Sequence, residues 1–325
     1  MSRVIKGIKG EYEKLGNLQI GNLHLKHRTI LAPMASLTDI VFRRVVDEIG
    51  GVGLMVTELI SAEALRRKHK KTLLMIRPFD FKTPQFIQLL GSEPEPFIDA
   101  VRYIEEETDF SGIDINMGCP ARKVIKKRAG AALLKDPKKI GEICKKVRKI
   151  TSIPFTVKIR LGFEEENVFE ILKVLENEGV DAVTVHFKLK ADKYGTKARW
   201  EYARRIKERS GLKIIGNGNI LNRDEALEKL NIVDGIMIGR GAINNPFIFA
   251  EMQNEMPGSE YKKVINERIM DLVEEYYPPE SRLLRIKAFT KYLAFGRPYV
   301  KEIKHKIYAS KTFDDAKQFF RELYF

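Results

Sequence analysis

One cysteine stands in a setting that favours chemistry over packing. Cys119 lies between Gly118 and Pro120, directly after an apolar run that predicts a strand. The other of the two cysteines, Cys144, lies in a helical pattern and is expected to be a small core residue. The five histidines show no metal-ligand spacing with cysteine, so no metal site is expected. Cys119 is therefore the candidate reactive residue.

Basic side chains also occur where an anionic ligand would meet them. Lys158 and Arg160 lie in one predicted strand, alternate with apolar residues and so share a face. A lysine inside a barrel must find an anion or lose its charge, whereas one on the outside keeps its charge in water between helices. At least one of the two is expected to serve a site. His186 is either a satisfied core histidine or a member of that site.

Two glycine-rich turns indicate a phosphate site. Gly216-Asn217-Gly218-Asn219 and Gly239-Arg240-Gly241 follow the last two predicted strands. Such turns expose backbone N–H groups, a helix N-terminus beyond Gly241 would add positive potential, and Arg240 can complete the cage. Plain tight turns also use glycine, but glycine in both places favours a phosphate-bearing ligand.

The elements that position these residues alternate between apolar β-rich runs and amphipathic helices, which is typical of a parallel sheet covered by helices. The predicted strands are Thr29–Ala35, Leu54–Glu58, Pro84–Leu90, Gly112–Met117, Pro154–Leu161, Ala182–Phe187, Leu212–Asn217 and Gly235–Ile238. Predicted helices include Asp39–Ile49, Pro94–Glu107, Asp136–Ile150, Glu165–Glu178 and Arg223–Leu230. Eight such units favour an α/β fold of the TIM (β/α)8 barrel class over an open doubly wound sheet. The site is then expected at the carboxyl ends of the strands.

Two segments lie outside this repeat. Residues 16–28 predict a hairpin that caps the barrel floor. Helical patterns after Phe249, at Tyr261–Tyr276, Pro279–Leu293, Val300–Tyr308 and Phe313–Leu323, predict a small all-α module with a boundary near residues 250–258. We therefore expect a catalytic barrel domain at residues 1–252 and a helical domain at residues 253–325. The helical domain is basic, with cations that include Arg282, Arg285, Lys287, Lys291, Arg297, Lys301, Lys304 and Lys306.

Charge and composition narrow the partners. The 325 residues carry a formal charge of +14, from 58 Lys+Arg against 44 Asp+Glu. This excess favours a polyanionic partner, with nucleic acid ahead of a membrane; a surface of stabilising charge networks would explain the number of charges but not their imbalance. No apolar run approaches the roughly 20 residues that span a bilayer, Met1–Lys14 is polar, and two thiols form no disulfide framework. A cytoplasmic protein is expected, and a monomer is favoured.

Taken together, these residues resemble the tRNA-dihydrouridine synthases, FMN-dependent enzymes that reduce uridine in tRNA. The resemblance spans the barrel in the family's order and is carried by LAPMASLTD (31–39), TELISAEAL (57–65), IQLLGSEPE (87–95), GIDINMGCPARKVIKKRAGAALLKDP (112–137), VKIRLG (157–162), VTVH (183–186), IIGNGNI (214–220) and GIMIGRGAINNPFIF (235–249). NMGCP followed by AGAALLKDP is the most specific part, and the basic helical tail is similar to the family's RNA-binding domain.

The resemblance implies roles for individual residues. Pro33, Met34 and Ala35 would line the flavin ring, with Gln88 and Lys158 at its polar edge. The cofactor phosphate would be held by His186, Asn217, Gly218, Asn219, Gly239 and Arg240. Asn116 would orient the uracil and Cys119 would be the proton donor. Arg122, Lys123 and Arg128, in the basic loop after Cys119, would hold the RNA backbone; otherwise this loop is a solvated lid.

The chain departs from the family pattern after His186. The family usually has glycine or alanine and then Arg-Thr, where this sequence has Phe187-Lys188-Leu189. Lysine can replace a cation but not the planar fork of arginine. Tyr194-Gly195 and Ala198-Arg199-Trp200 match the family only in part.

The chemistry of the implied reaction agrees with these roles. Uracil C5=C6 is conjugated to the C4 carbonyl, so a hydride adds at C6 and C5 then needs a proton. Reduced FMN would supply the hydride, and NADPH or NADH would reduce the flavin. A thiol of ordinary acidity is mostly protonated near neutral pH, which suits Cys119 to the role of a neutral acid. The target base must also turn out of the tRNA to reach a flavin in a barrel mouth.

Two rival functions remain at this point. The first is an FMN barrel that acts on a small metabolite, as dihydroorotate dehydrogenases do; it does not need NMGCP, the basic loop or the basic tail. The second is a non-catalytic RNA-binding protein on a barrel scaffold, which would have little use for a cage of Lys158, His186 and Arg240.

Overall fold

The computed structural model describes residues 15–77, 80–193, 195–254, 259–293 and 300–322. Met1–Lys14, Tyr194, residues 255–258 of the predicted domain boundary, and Arg297 lie outside the described residues. The division at residues 252 and 253 remains a prediction.

Within those ranges, eight parallel strands close into a barrel and two more form an antiparallel hairpin. The strands are β1 (Leu18–Ile20), β2 (Leu23–Leu25), β3 (Thr29–Leu31), β4 (Leu54–Ser61), β5 (Gln85–Leu90), β6 (Gly112–Asn116), β7 (Phe155–Gly162), β8 (Ala182–Leu189), β9 (Lys213–Asn217) and β10 (Gly235–Ile238). The barrel order is β10-β3-β4-β5-β6-β7-β8-β9. The predicted barrel class is confirmed, and the carboxyl ends of all eight strands meet at one rim.

Helices follow the strands around the outside. They are α1 (Ile40–Ile49), α2 (Ala62–Arg66), α3 (Lys70–Ile76), α4 (Pro94–Glu107), α5 (Arg122–Ile125), α6 (Pro137–Ile150), α7 (Val168–Asn177), α8 (Glu201–Arg209), α9 (Arg223–Leu230), α10 (Arg240–Asn244), α11 (Ile248–Gln253), α12 (Ser259–Tyr276), α13 (Pro279–Leu293), α14 (Val300–Ala309) and α15 (Phe313–Phe320). A 3-10 turn covers Gly130–Lys135. Helices α12–α15 form the predicted all-α module.

The hairpin of β1 and β2 closes the end of the barrel away from the rim. Leu18, Ile20 and Leu25 belong to one buried cluster with Phe86 and Ile215 of the barrel strands. Each large apolar side chain buried in this way contributes about 1.5–3 kcal/mol of transfer free energy. With the floor filled, the open rim is the end that remains for a ligand.

The first barrel strand and the helix before β8 are shorter than predicted, each for a local reason. The first strand ends at Leu31 and not at Ala35, because Pro33 has no N–H for the sheet and the chain turns, with the N–H groups of Leu37 and Thr38 donating to the Met34 carbonyl at 3.0 Å. The helix predicted from Glu165 begins at Val168, because Glu166 still pairs with Gly162 in an isolated β-bridge.

The helical module is attached to the barrel by specific polar contacts. Arg268 of α12 pairs with Glu48 of α1 at 2.6 Å, and Arg77 donates to the Tyr276 carbonyl at 2.9 Å. Arg285 of α13 pairs with Asp39, which caps α1, at 2.9 Å. The module is therefore joined directly to the loop that follows the first barrel strand.

Candidate active site

A cavity of about 330 Å³ opens at the carboxyl ends of the barrel strands. Its lining residues come from every barrel strand except β5, or from the loop that follows the strand: Ala32, Pro33, Met34, Ala35, Leu59, Asn116, Gly118, Cys119, Pro120, Lys158, Arg160, His186, Asn217, Gly218, Asn219, Ile220, Leu221, Met237, Gly239 and Arg240. This volume is in the range of small-molecule sites, roughly 300–1,000 Å³. A larger space, about 590 Å³, lies near the amino ends of β5 and β6, away from the rim where barrel enzymes carry their chemistry.

The cavity brings together most of the residues that the sequence indicated. Cys119, Asn116 and every predicted cofactor residue except Gln88 line it. Gln88 is fully buried beneath it: its amide donates to Asp114 at 2.7 Å and accepts from Asn116 at 2.9 Å. Arg122, Lys123 and Arg128 are exposed on the loop beside the cavity and do not line it.

The loop that carries Cys119 is held from three sides. The Asn116 side-chain oxygen accepts the N–H groups of Gly118 at 3.2 Å and Cys119 at 2.9 Å. The Arg160 guanidinium donates to the carbonyl of Gly118 at 2.7 Å and to that of Leu189 at 3.0 Å. The Cys119 carbonyl accepts the N–H of Ala131 at 3.0 Å. The thiol therefore stands on a fixed backbone at the cavity edge.

A buried polar chain supports Asn116 from below. Asp114, 1% exposed, accepts from Gln88 at 2.7 Å and from Thr156 at 2.7 Å. Burial raises the pKa of Asp114, while these two hydrogen bonds lower it in part. The last hydrogen bond of this series runs from the Asn116 side-chain N–H to Gln88. The amide of Asn116 therefore has one orientation, with its oxygen toward the Cys119 loop.

Part of the cavity wall is cationic. Lys158, Arg160, His186 and Arg240 line it, and no carboxylate occurs among the lining residues of the described chain. Burial, followed by the charge of Arg160, lowers the pKa of Lys158 to about 8. Burial, followed by the charge of Lys158, lowers the pKa of His186 well below its ordinary value, so that its ring is neutral at pH 7. An anionic ligand would relieve this concentration of positive charge.

The glycine turns approach the cavity closely. A Cβ on Gly239 would stand 3.1 Å from the Met34 sulfur, and a Cβ on Gly218, whose φ is +128°, would stand 2.8 Å from the Ala198 methyl. The helix predicted beyond Gly241 begins one residue earlier, at Arg240, and has only five residues. Its dipole is therefore small, and the side chain of Arg240 is the main source of positive charge at this turn.

The divergent segment after His186 has a structural use. Phe187 is fully buried against Trp200, with ring centroids 4.7 Å apart, and its carbonyl accepts the N–H of Arg199 at 2.7 Å. The Trp200 indole donates to the Gly218 carbonyl at 2.8 Å and so fixes the glycine turn that follows β9. Lys188 is 7% exposed, and its pKa is lowered by burial and then by the charges of Arg240 and Arg160.

Arg160 was expected from the sequence as a candidate beside Lys158, without a role of its own, and it lines the cavity. Several other lining residues were not predicted. Leu59, Pro120, Ile220, Leu221 and Met237 are ordinary apolar residues whose place in the cavity wall follows only from the barrel geometry. Glu58 does not line the cavity, but it supports the loop that follows β3 by accepting the N–H of Ser36, a role that the sequence did not indicate.

Comparisons with known proteins identify relatives across the chain. A model of the Dihydrouridine synthase (Dus) family matches residues 30–323. A probable tRNA-dihydrouridine synthase of Rickettsia bellii is 35% identical over 267 residues, which are 80% of this chain and 81% of the relative. The tRNA-dihydrouridine synthase B of Escherichia coli K12 is 34% identical over 294 residues, 86% of this chain and 91% of the relative.

Solved structures share the barrel at lower identity. A 2-naphthoyl-CoA reductase superposes with a TM-score of 0.57 at 14% identity over 75% of this chain, and the match spans about half, 52%, of that reductase. A morphinone reductase in complex with tetrahydroNAD gives 0.53 at 13% identity, over 75% of this chain and 92% of that one. Across the described residues, no helix is both long and apolar enough to cross a membrane, and no three potential metal ligands cluster.

Proposed function

Since this chain belongs to the dihydrouridine synthase family, we propose that it reduces the C5=C6 bond of uridines in tRNA with FMN held in the rim cavity. The observation that carries the proposal is one cavity whose lining contains the Cys119 residue and four basic side chains but no carboxylate among the described residues. The chain is an oxidoreductase of the flavin-dependent kind, and tRNA is its substrate. The finer assignments of cofactor, reductant and residues are our proposals.

The cavity suits FMN in size and in donor chemistry. Pro33, Met34 and Ala35 form an uncharged wall for the ring, and Lys158 can contact its polar edge. The phosphate fits the turns around Gly218 and Gly239, with Asn217, Asn219, His186 and Arg240 as donors. A side chain at either glycine would press on its protein neighbours, Ala198 and His186 at Gly218 and Met34 at Gly239, so both turns need glycine to keep this shape. Gln88 would act through Asn116, because it does not reach the cavity.

The chain's own residues would orient the uracil and supply a proton. When bound, reduced FMN would supply the hydride that adds to C6 of the base. Asn116 and Arg160 fix the backbone of the Cys119 loop, so the thiol is held at one edge of the cavity. The Cys119 S–H bond breaks as its proton passes to C5, and the thiolate that remains lies near the positive charge of Arg160 and Lys158. Solvent then returns the proton to the sulfur.

The surface beside the cavity fits an RNA backbone. Arg122, Lys123 and Arg128 are exposed and form no ion pair with any residue in the described part of the chain. Lys123 and Lys127 also line a groove of about 580 Å³ whose lining includes Arg67 and His69 as well as the carboxylates of Glu63 and Glu93. The basic helical module, residues 253–325, is proposed to grip the tRNA by phosphate contacts and shape. NADPH is the proposed reductant, a monomer the proposed state and the cytoplasm the proposed location, where tRNA is found.

We expect these exposed cations to govern the salt dependence of tRNA binding. Replacing Arg122, Lys123 and Arg128 together by alanine should weaken binding and reduce the slope of log K against log salt by about 2, since each phosphate contact contributes roughly 0.7–0.9. Filter-binding titrations across salt concentrations measure this slope. The matched control removes three exposed lysines from the outer face of α6, Lys138, Lys145 and Lys149. An equal change of slope in the control would show that only net charge matters.

The function is tested with purified protein. We expect a yellow protein that contains FMN and that, with NADPH, forms dihydrouridine in tRNA taken from cells lacking this protein. A protein that cannot be loaded with FMN, or that leaves tRNA unchanged, would refute the proposal. Turnover of dihydroorotate in place of tRNA would support the small-metabolite alternative. Mapping dihydrouridine in the same tRNA identifies the position that is reduced.

A further inference from the structure

One arginine of the helical module reaches into the barrel rim. Arg285 of α13 places its Nε 2.9 Å from the Asp39 carboxylate and donates from Nη1 to the Ser36 carbonyl at 3.2 Å. It also donates to the hydroxyl of Tyr277, which in turn donates to Asp39 at 2.6 Å. Arg285 is 14% exposed and Asp39 is 1% exposed, so their ion pair is shielded from solvent, whereas the hydrogen bond to Ser36 lies at the surface.

These contacts end on the loop that forms one wall of the cavity. Pro33, Met34 and Ala35 line the cavity, and Ser36 follows directly in a left-handed conformation with φ of +64°. That conformation is costly for a residue with a side chain and needs support from its surroundings. Ser36 receives it from two sides, because its N–H donates to Glu58 and its carbonyl accepts from Arg285.

The charges beneath the loop balance only when Arg285 is present. Two buried carboxylates, Asp39 and Glu58, lie beside two guanidinium groups, those of Arg43 and Arg285. Arg43 is already committed to the Thr38 carbonyl and to Gln85, each at 2.8 Å. Burial, followed by the charge of Asp39, raises the pKa of Glu58, while Arg285 lowers it. Loss of Arg285 would leave a buried carboxylate pair with one cation, which is strongly unfavourable.

We propose that Arg285 and Tyr277 of the helical module are positioning residues for the cofactor, and that they hold the loop Pro33–Asp39 in the shape that binds FMN. The proposal rests on the proposed FMN site and adds that the RNA-binding module completes it. FMN affinity then depends on how the module is docked, and by reciprocity bound FMN strengthens the docking.

Arg268 provides a matched control. It also joins the module to the barrel, through two hydrogen bonds to Glu48 at 2.6 and 2.9 Å. Glu48 belongs to α1 and not to the loop that forms the cavity wall. Arg285→Met and Arg268→Met therefore both remove an ion pair between module and barrel. Only the first removes a support of the cavity wall.

The test titrates FMN into flavin-free protein and follows flavin fluorescence, with thermal unfolding and tRNA binding measured in parallel. Arg285→Met should raise the Kd for FMN by about tenfold or more, and Arg268→Met by less than about twofold, although both lower the melting temperature. The Kd of Arg285→Lys for FMN should lie between those of Arg285→Met and the unchanged protein. Lysine keeps the charge beside Asp39 but lacks the planar guanidinium that also reaches Ser36. Tyr277→Phe removes only a hydroxyl and should raise the Kd for FMN by a few-fold. It tests the same proposal if Arg285→Met does not fold.

The outcomes separate this proposal from the proposed function. If the unchanged protein binds FMN and the Arg285 and Tyr277 variants bind it equally well, the positioning role is refuted and the enzyme assignment stays intact. Equal weakening in Arg268→Met would also overturn it, because the effect would then belong to docking in general. An unchanged protein that cannot bind FMN would overturn both.

Discussion

Cys119→Ala should form dihydrouridine about 10²–10⁴ times more slowly than the unchanged protein, which is the range that a positioned general acid contributes. The thiol is the proton source that we assign to C5, and alanine has no proton to give. The loop should keep its shape, since its bonds to Asn116, Arg160 and Ala131 use backbone atoms of residues 118 and 119. FMN binding should therefore remain. Single-turnover kinetics with pre-reduced enzyme and tRNA measure the loss at the chemical step.

The second cysteine of the chain is the matched control for this prediction. Cys144 is fully buried in α6, and burial raises the pKa of its thiol, so it is an inert core residue. Cys144→Ala removes the same group at a modest cost in stability, on the order of 1 kcal/mol, and turnover should not change. If Cys119→Ala reacted at the normal rate, the proton would have to come from water or another side chain.

The barrel and most of the cavity could be predicted because their signals are local. Apolar runs of strand length between amphipathic helices define the (β/α)8 pattern without any long-range information. The glycine turns after β9 and β10 and the thiol after β6 then fall at the rim by topology alone. The overlong first strand shows the limit of such signals: Ala32–Ala35 is apolar enough for a strand, but Pro33 and the turn at Ser36 end it.

The residues that were misplaced or missed depend on side-chain direction and on contacts between distant parts of the chain. Gln88 is a polar residue in an apolar strand, which correctly marked an interior position. Whether it faces a ligand or a neighbour depends on Asp114 and Asn116, which satisfy it from below the cavity. Tyr277 joins Asp39 across 238 residues of sequence. No periodicity in the sequence indicates a partner so distant along the chain. The support of the cavity wall by the helical module could therefore be found only from the structure.

Lys158→Met should raise the Kd for oxidised FMN by about 10- to 100-fold, because a hydrogen bond from a charged donor contributes roughly 1.5–3 kcal/mol. The loss should be greater for reduced FMN, whose ring carries the negative charge that the ammonium is placed to offset. Fluorescence titration and the flavin midpoint potential measure the two effects. Lys173→Met is the control, since Lys173 is an exposed lysine of α7 that does not line the cavity. Equal weakening in both variants would show that the cavity lysine has no special contact.

The same lysine should give FMN binding a pH dependence whose direction follows from its lowered pKa. In the free protein the pKa of Lys158 is about 8, against an ordinary value of 10.5, and a bound anion must raise it again. Between about pH 7 and pH 8 the ammonium is charged with or without ligand and the phosphate, whose second pKa is about 6, is a dianion, so the Kd should be nearly constant. Above about pH 8 the ligand must draw in a proton, so the Kd should rise by up to about tenfold per pH unit. In Lys158→Met this rise should vanish; a rise that persists would assign the proton to another group of the cavity.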